Sequence, residues 1–537
     1  MQEKRNKSLI LLPLVLAIGL TGGIFIGQYL LRQRESVQEK KLATLLELIR
    51  SEYVDDINVD SLLEATLPEL LAGLDPHSVY IPASELTASN EELQGSFSGV
   101  GVTFQILNDT VTIIEVVPGG PAEKVGLLAG DRIVRANDVE LTGKDVTNDL
   151  VFKTLRGPKD TPVKLEIKRY NSGKTFSYDV TRGDIPVNSV DCVYMMDETT
   201  GYLKVSKFAA TTYNEFLAAL LRLKSQGATD FIVDLRGNSG GYMDQAIFMA
   251  NEFLPAGETI VFTKGRQPHN ETLAVSDGRG SFLEAGLAVI TDEYSASASE
   301  IFAGAIQDND RGTVIGRRTF GKGLVQNQIA LPDSSAVRLT VARYYTPSGR
   351  SIQKEYTRGA DGRYEMEIID RYNHGEIYSA DSVRLDKTKA YRTLGGRTVY
   401  GGGGIMPDIF VPEDTTSLNS YYVNLVNAGL IQKFAFELTD QYRDIFRGAD
   451  SLDRLLRLIP RDDALIDKFV TFAVANGEKA RWYYINQSRD RLLRQIKAMI
   501  VRDALGYDAS MQFLNRDDAA IGKALELFLP DKNKQAP

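Results

Sequence analysis

Two short segments of this chain carry residue types that can do chemistry. One is Tyr294-Ser295-Ala296-Ser297-Ala298-Ser299-Glu300, between an apolar strand pattern and a helical one. The other is Thr319-Phe320-Gly321-Lys322-Gly323-Leu324-Val325-Gln326, just after another strand pattern. A serine hydroxyl is a poor nucleophile until a base takes its proton. A strand-to-helix turn presents it at a helix N-terminus, where free N–H groups and the dipole favour developing negative charge. The small alanines beside Ser297 leave room for a substrate backbone. Lysine serves as the base when burial lowers its pKa, because desolvation penalises the ammonium form. Lys322 lies between glycines in an apolar stretch, which permits close approach, and Ser-Lys pairs are an alternative to the Ser-His-Asp triad. Each segment alone has a plainer reading. Ser297-x-x-Glu300 also fits a helix capping box, and Gly-Lys-Gly also fits a surface loop.

Other chemistries fit poorly. The chain has three histidines, His77, His269 and His374, and a triad must spend one of them as base. Ser297 is flanked by alanines rather than set in Gly-x-Ser-x-Gly, and His77, in Leu74-Asp75-Pro76-His77-Ser78, reads as a turn residue. The single cysteine, Cys192, excludes an internal disulfide and a zinc cluster and reads as a small core residue. No metal and no cofactor is expected. The net charge of −9, spread along the chain, argues against nucleic-acid binding.

The elements that must position these residues follow from patterning. With 537 residues, 43% hydrophobic and 25% charged, the chain has material for three or more domains. Lys4, Arg5 and Lys7 precede an uncharged apolar run that reaches Leu31, long enough to span a bilayer. We read 1–7 as a cytoplasmic tail and 8–31 as an uncleaved transmembrane anchor. The catalytic body then stands on the extracytoplasmic, periplasmic side of an inner membrane. Arg32 and Arg34 flank the other end, so charge alone does not fix the orientation. Residues 36–94 repeat leucines at helical spacing. Residues 95–182 are strands and glycine turns, and Gly130-Asp131-Arg132-Ile133 with the Gly99-Val100-Gly101-Val102 loop resembles a PDZ domain. Such domains add a peptide C-terminus as a strand and capture its carboxylate on backbone N–H groups, here those of Gly99 to Val102. Residues 183–413 alternate strand and helix, which predicts an α/β layered core with parallel pairing. Residues 414–537 read as a helical extension without evident chemistry.

Taken together, the chain resembles the C-terminal processing peptidase (tail-specific protease) family over roughly residues 40–412. The resemblance rests on 74–78, the PDZ segment, Asp234-Leu235-Arg236-Gly237-Asn238-Ser239-Gly240-Gly241, the two segments above and 404–408, in that order. It implies Ser297 as nucleophile, Lys322 as general base and Gln326 as the group that orients the lysine. It also implies an oxyanion hole from the N–H groups of Ala298 and Gly241. The implied fold is a layered α/β serine-protease core of crotonase-like type. A PDZ domain is inserted before it, a helical region and a single transmembrane helix precede it, and a helical extension follows. The implied function is a membrane-anchored serine endopeptidase that cuts unfolded or tagged proteins near their free C-termini. The C-terminal helices are candidates for self-association or adapter docking. The 356–400 insertion and the tail lie outside the resemblance. The competing reading is a noncatalytic PDZ-containing adapter of the cell envelope.

Overall fold

The computed structural model describes residues 37–169, 174–359 and 362–529. The expected cytoplasmic tail and transmembrane anchor lie outside the described residues. Among the described residues no helix is long and apolar enough to cross a membrane. Two compact units divide after Gly73. The first holds α1 (Val37–Glu52) and α2 (Val59–Ala72). Asn58 starts α2 because its side-chain oxygen accepts the N–H groups of Asp60 and Ser61, donors the first helical turn leaves unpaired. Leu42, Leu45 and Leu48, whose spacing signals α1, are more than half exposed.

The second unit opens with a short strand, where sequence periodicity predicted only helix. β1 (Val79–Ile81) pairs antiparallel with residues 336–338, and α3 (Ala83–Gln94) follows. Three residues carry no readable period, so this strand exists by virtue of its partner. The PDZ segment is a sheet ordered β2 (Val102–Leu107), β3 (Thr110–Val116), β4 (Arg132–Ala136), α4 (Asn148–Leu155) aside, β5 (Pro162–Lys168) and β6 (Thr175–Thr181). Val163, Leu165 and Ile167 point inward at period two, meeting Val111, Ile113, Ile133 and Val151. Asn108 and Asp109 take positive φ to turn β2 into β3, as a tight hairpin requires. β2 is an edge strand of this sheet.

From residue 190 the chain alternates β7 (Val190–Met195), β8 (Thr200–Val205), α5 (Thr212–Ser225), β9 (Asp230–Asp234), α6 (Met243–Asn251) and β10 (Thr259–Gly265). It continues with β11 (Gly286–Thr291), α7 (Ala298–Asp308), β12 (Thr313–Gly316), β13 (Leu324–Ala330), β14 (Ala336–Tyr345), α8 (Arg363–Asn373) and β15 (Ile409–Phe410). The main sheet runs β7-β8-β9-β11-β12-β15, antiparallel at β7 and parallel from β8 onward. A second, antiparallel sheet joins β1, β14 and β10, with β13 also on β14.

Both faces of the main sheet are covered, as a parallel sheet demands. On one, Phe216, Leu220 and Leu223 of α5 and Phe302 and Ile306 of α7 pack on Phe231, Val233 and Val289. Full burial of each such side chain contributes roughly 1.5–3 kcal/mol. On the other, Ile232, Ala288, Ile290 and Ile315 meet Ala520, Ile521 and Ala524 of the last helix, Ala519–Phe528. The helical C-terminal region also has its own core around Phe434, Leu438, Phe469, Ile496 and Ile500.

Candidate active site

Three loops leave the carboxyl ends of the adjacent parallel strands β9, β11 and β12. That edge is where open α/β sheets hold their ligands. The β9 loop carries Gly237 to Gly241, the β11 loop carries Ser297, and the β12 loop carries Lys322.

Ser297 occupies the cap position of α7 with φ 55° and ψ −113°, a sparsely populated conformation for a residue with a Cβ. Such strain costs on the order of 1–3 kcal/mol and lifts a side chain off a sharp strand-to-helix turn. Of the three serines in this segment, Ser295 and Ser299 are fully buried. Their hydroxyls donate to the carbonyls of Leu235 and Asn238, at 2.9 Å each. Ser297 alone of the three is only partly buried. The β9 loop is sewn to it through Asn238. The Asn238 carbonyl also accepts the Ala296 N–H at 3.0 Å, and its side-chain oxygen accepts the Gly240 N–H at 2.9 Å. Gly240 has φ 104°, and a Cβ there would lie 2.7 Å from Cβ of Ser297. Gly241 has φ 142°, and a Cβ there would lie 2.1 Å from the Phe208 carbonyl oxygen.

The implied oxyanion donors are the N–H groups of Ala298, which follows this serine in sequence, and of Gly241, next to the Gly240 that packs against Ser297. Ala298 is the first helical residue of α7, whose N–H has no intrahelical acceptor. The bridge between Phe208 and Gly241 is built from the Gly240 carbonyl and the Tyr242 N–H, so it leaves the Gly241 N–H unused.

Two buried side chains fasten the serine loop to the lysine loop. Glu300, fully buried, accepts the N–H of Ser297 at 2.9 Å and that of Lys322 at 2.8 Å on the same oxygen, Oε2. Its other oxygen accepts the Gly321 N–H at 2.8 Å and the Thr319 hydroxyl at 2.5 Å. Tyr344, also buried, shares its hydroxyl proton between the carbonyls of Ser297 at 3.0 Å and Lys322 at 2.7 Å. The backbones of the two residues therefore meet across one carboxylate oxygen and one hydroxyl. The capping-box reading of Glu300 is half the story: the carboxylate caps α7 and also holds the lysine loop. Burial pushes the Glu300 carboxyl up to about 7, against the pull of its four donors.

Lys322 is partly buried, and that burial lowers its pKa. Arg338 adds to the fall, while Glu300 and Asp75 oppose it. His77, read from sequence as a turn residue, is also a neighbour of this lysine. Its Nε2 bonds the Tyr364 hydroxyl at 2.9 Å, and burial, then Lys322, bring it down to about 4. Gln326 is elsewhere engaged: its amide donates to Thr340 Oγ1 at 3.3 Å, and Thr340 donates to Asp75 at 3.1 Å. Among the described residues no hydrogen bond joins Gln326 to the Lys322 amine. Sequence reasoning also passed over Asn238, Asp75 and Tyr344; a polar residue within a recognised motif was the available signal for the first two, while Tyr344 lies in the strand Ala336–Tyr345, outside those motifs.

In the PDZ segment, Val100 is 3% exposed and its side chain belongs to the domain core. Its carbonyl and that of Gly101 accept the N–H groups of Ala122 and Val117, which fixes the Gly99–Val102 loop. Val102 opens the edge strand β2, and Phe104 of β2 meets Phe152 of α4 edge-to-face at 5.2 Å.

Family models match three stretches: peptidase family S41 over residues 199–360, a PDZ domain over 98–180, and a family of unknown function, DUF8443, over 421–506. The carboxy-terminal-processing protease of Bartonella bacilliformis is 35% identical over 351 residues, 63% of this chain and 80% of that protein. The carboxy-terminal processing protease CtpA of Bacillus subtilis is 32% identical over 390 residues, 72% of this chain and 80% of that one. Among solved structures, the photosystem II D1 C-terminal processing protease aligns with TM-score 0.35 and 24% identity. That alignment covers 71% of this chain and 95% of that one.

Proposed function

Because this chain belongs to the carboxy-terminal processing proteases of peptidase family S41, and is a serine-type endopeptidase, we propose that Ser297 and Lys322 form its catalytic dyad. The observation that carries this reading is the shared grip of Glu300 and Tyr344 on both residues. Neutral Lys322 takes the Ser297 proton as Oγ attacks the scissile carbonyl. The oxyanion forms against the N–H groups of Ala298 and Gly241. The lysine ammonium then gives its proton to the leaving amine, and the C–N bond breaks. Water, deprotonated by the same lysine, attacks the acyl carbonyl, and the ammonium returns that proton to Ser297 Oγ as the acyl–Oγ bond breaks. Gln326 acts behind the lysine through β14 rather than by direct contact.

The substrates are unfolded or tagged polypeptides with free C-termini, laid along the open edge of β2 with the carboxylate at residues 99–102. Residues 8–31 anchor the chain in the inner membrane, with the body on the periplasmic side. The domains we assign are 36–94, 95–182, 183–413 and 414–537, the core being of crotonase-like type.

The test is incubation of an unfolded protein with the wild type, Ser297→Ala and Lys322→Ala, reading new C-termini by mass spectrometry. New ends from the wild type alone support the dyad. The same ends from Ser297→Ala at a comparable rate would remove the serine from the chemistry.

A further inference from the structure

Residues 317–323 belong to no helix or strand, yet the backbone around Lys322 is bonded on both sides. Its N–H groups are taken in turn: Thr319 by the Ile405 carbonyl, Phe320 by that of Ser295, Gly321 and Lys322 by Glu300, and Gly323 by Gln353 Oε1. Its carbonyls are taken as well. The Gly321 carbonyl accepts from the Lys354 N–H at 2.9 Å and that of Lys322 from Tyr344. The three before them, of Arg318, Thr319 and Phe320, all accept from one guanidinium, that of Arg371, at 3.3, 2.8 and 3.0 Å.

Arg371 comes from α8 and its side chain is 1% exposed. Its Nε donates to Glu367, one helical turn earlier, at 2.8 Å. Lys354 completes the support. Its ammonium lies 3.8 Å from the Phe320 ring centroid and 4.2 Å from that of Tyr364, and 3.1 Å from the Glu367 carboxylate. A guanidinium presents a rigid planar fork of donors, which suits it to hold three successive carbonyls at once. Burying that charge is costly, and here it spends its hydrogen bonds on the segment leading into Lys322. α8 lies beyond residues 199–360, the stretch matched by the peptidase family.

We propose that α8 is a positioning element for the lysine loop and that Arg371 is its positioning residue, fixing where the Lys322 amine stands relative to Ser297. This rests on the reading of Lys322 as general base. The charged and titratable groups facing Lys322 are Asp75 and His77 from the 75–78 turn, Glu300 from α7 and Arg338 from β14, with the Tyr344 hydroxyl on its carbonyl. Arg371 touches neither the amine nor any of these, so its effect on the amine passes through the backbone it holds.

The experiment measures kcat and KM against pH for the full chain, as wild type, Arg371→Lys, Arg371→Met, Glu367→Gln and Lys322→Ala, on an unfolded protein, with thermal unfolding of each. A lysine at 371 keeps the charge but lacks the planar fork and the separate Nε donor, so it cannot hold the three carbonyls in the same geometry while also donating to Glu367. We expect kcat to fall about 10–100-fold with KM nearly unchanged, since misplacement of a reacting group costs rate rather than binding. The alkaline rise in kcat should move to higher pH as the loosened loop admits water, with partial recovery there. Glu367→Gln, at the partly exposed rim, should shift the profile in the same direction by less, and carries the test should Arg371 variants unfold. A folded Arg371→Lys or Glu367→Gln protein with the wild-type pH profile overturns the proposal, whatever its kcat. Full activity in Lys322→Ala instead overturns the general-base reading and is told apart by that variant alone.

Discussion

Glu300 shows how much one side chain can decide. A buried carboxylate with four donors is stable only while all four stay in place, and those donors belong to two different loops. Glu300→Gln turns part of the acceptor into a donor facing N–H groups. We expect a loss of about 3 kcal/mol in a denaturant melt, typical of a broken buried network, and a fall in kcat of at least about 100-fold. Wild-type kcat in that variant would show that the two loops do not need their shared carboxylate. His77 makes a second residue-scale prediction. Its native pKa of about 4 lies below the ordinary 6.5. Between those values the unfolded chain binds a proton that the native one does not. Stability is therefore complete above about pH 6.5 and is lost on acidification, by up to about 3 kcal/mol. Urea midpoints of the wild type and His77→Gln at neutral and mildly acidic pH check this: the variant should lose that slope. Ser297 and Lys322 stood out in the sequence because small residues flank each of them, and what separated them from a plain cap and a plain surface loop was the two segments taken together. Glu300 was legible only as a cap, because its bonds to Gly321 and Lys322 span some twenty positions. His77 was legible only as a turn residue, and Arg371 gave no local signal at all.

At the scale of elements, the site is the meeting of three loops on adjacent parallel strands. The strands and helices of the layered core follow from period, since buried parallel strands read as apolar runs and their covering helices as amphipathic ones. Their order in the sheet does not, and neither does β1, whose three residues acquire a structure only against β14. The β9 loop contributes glycines where backbone must touch backbone. Gly240 has positive φ, and a methyl group there would strike the Ser297 Cβ and the Ala296 carbonyl. Gly240→Ala should therefore lower kcat by about 100-fold or more, in the range of a lost oxyanion donor, with little change in the binding of free-tailed peptides. Kinetics beside peptide-binding titration would check it, and unchanged kcat would mean the loop can retreat without harm to the oxyanion site.

At the scale of the whole molecule, the C-terminal helices are part of the working body. Asp518 pairs with Arg236 at 2.7 Å, and the last helix covers the sheet under the active-site loops. Leu430–Gln441 reaches the PDZ segment, where Asp440 pairs with Arg132 at 2.5 Å and Arg443 donates to the Ala129 carbonyl at 3.0 Å. Sequence periodicity foretold these helices but not their partners, since a charged pair distant in sequence leaves no local pattern. Recognition through the PDZ segment predicts that amidating the end of an apolar-tailed unfolded substrate slows its cleavage about 10–100-fold, because the terminal charge-assisted hydrogen bonds are lost. Equal rates for free and amidated tails would show that ends are not selected. The dyad is tested most directly by the rate at which one unfolded substrate acylates the full-length enzyme, followed against pH in the wild type and in Lys322→Ala. The wild-type rate should climb from neutral into alkaline pH as the lysine, its pKa lowered by burial, loses its proton. Lys322→Ala should lose that climb and fall at least about 1,000-fold in rate. A Lys322→Ala enzyme that still acylates near the wild-type rate, with the same pH dependence, would contradict the account.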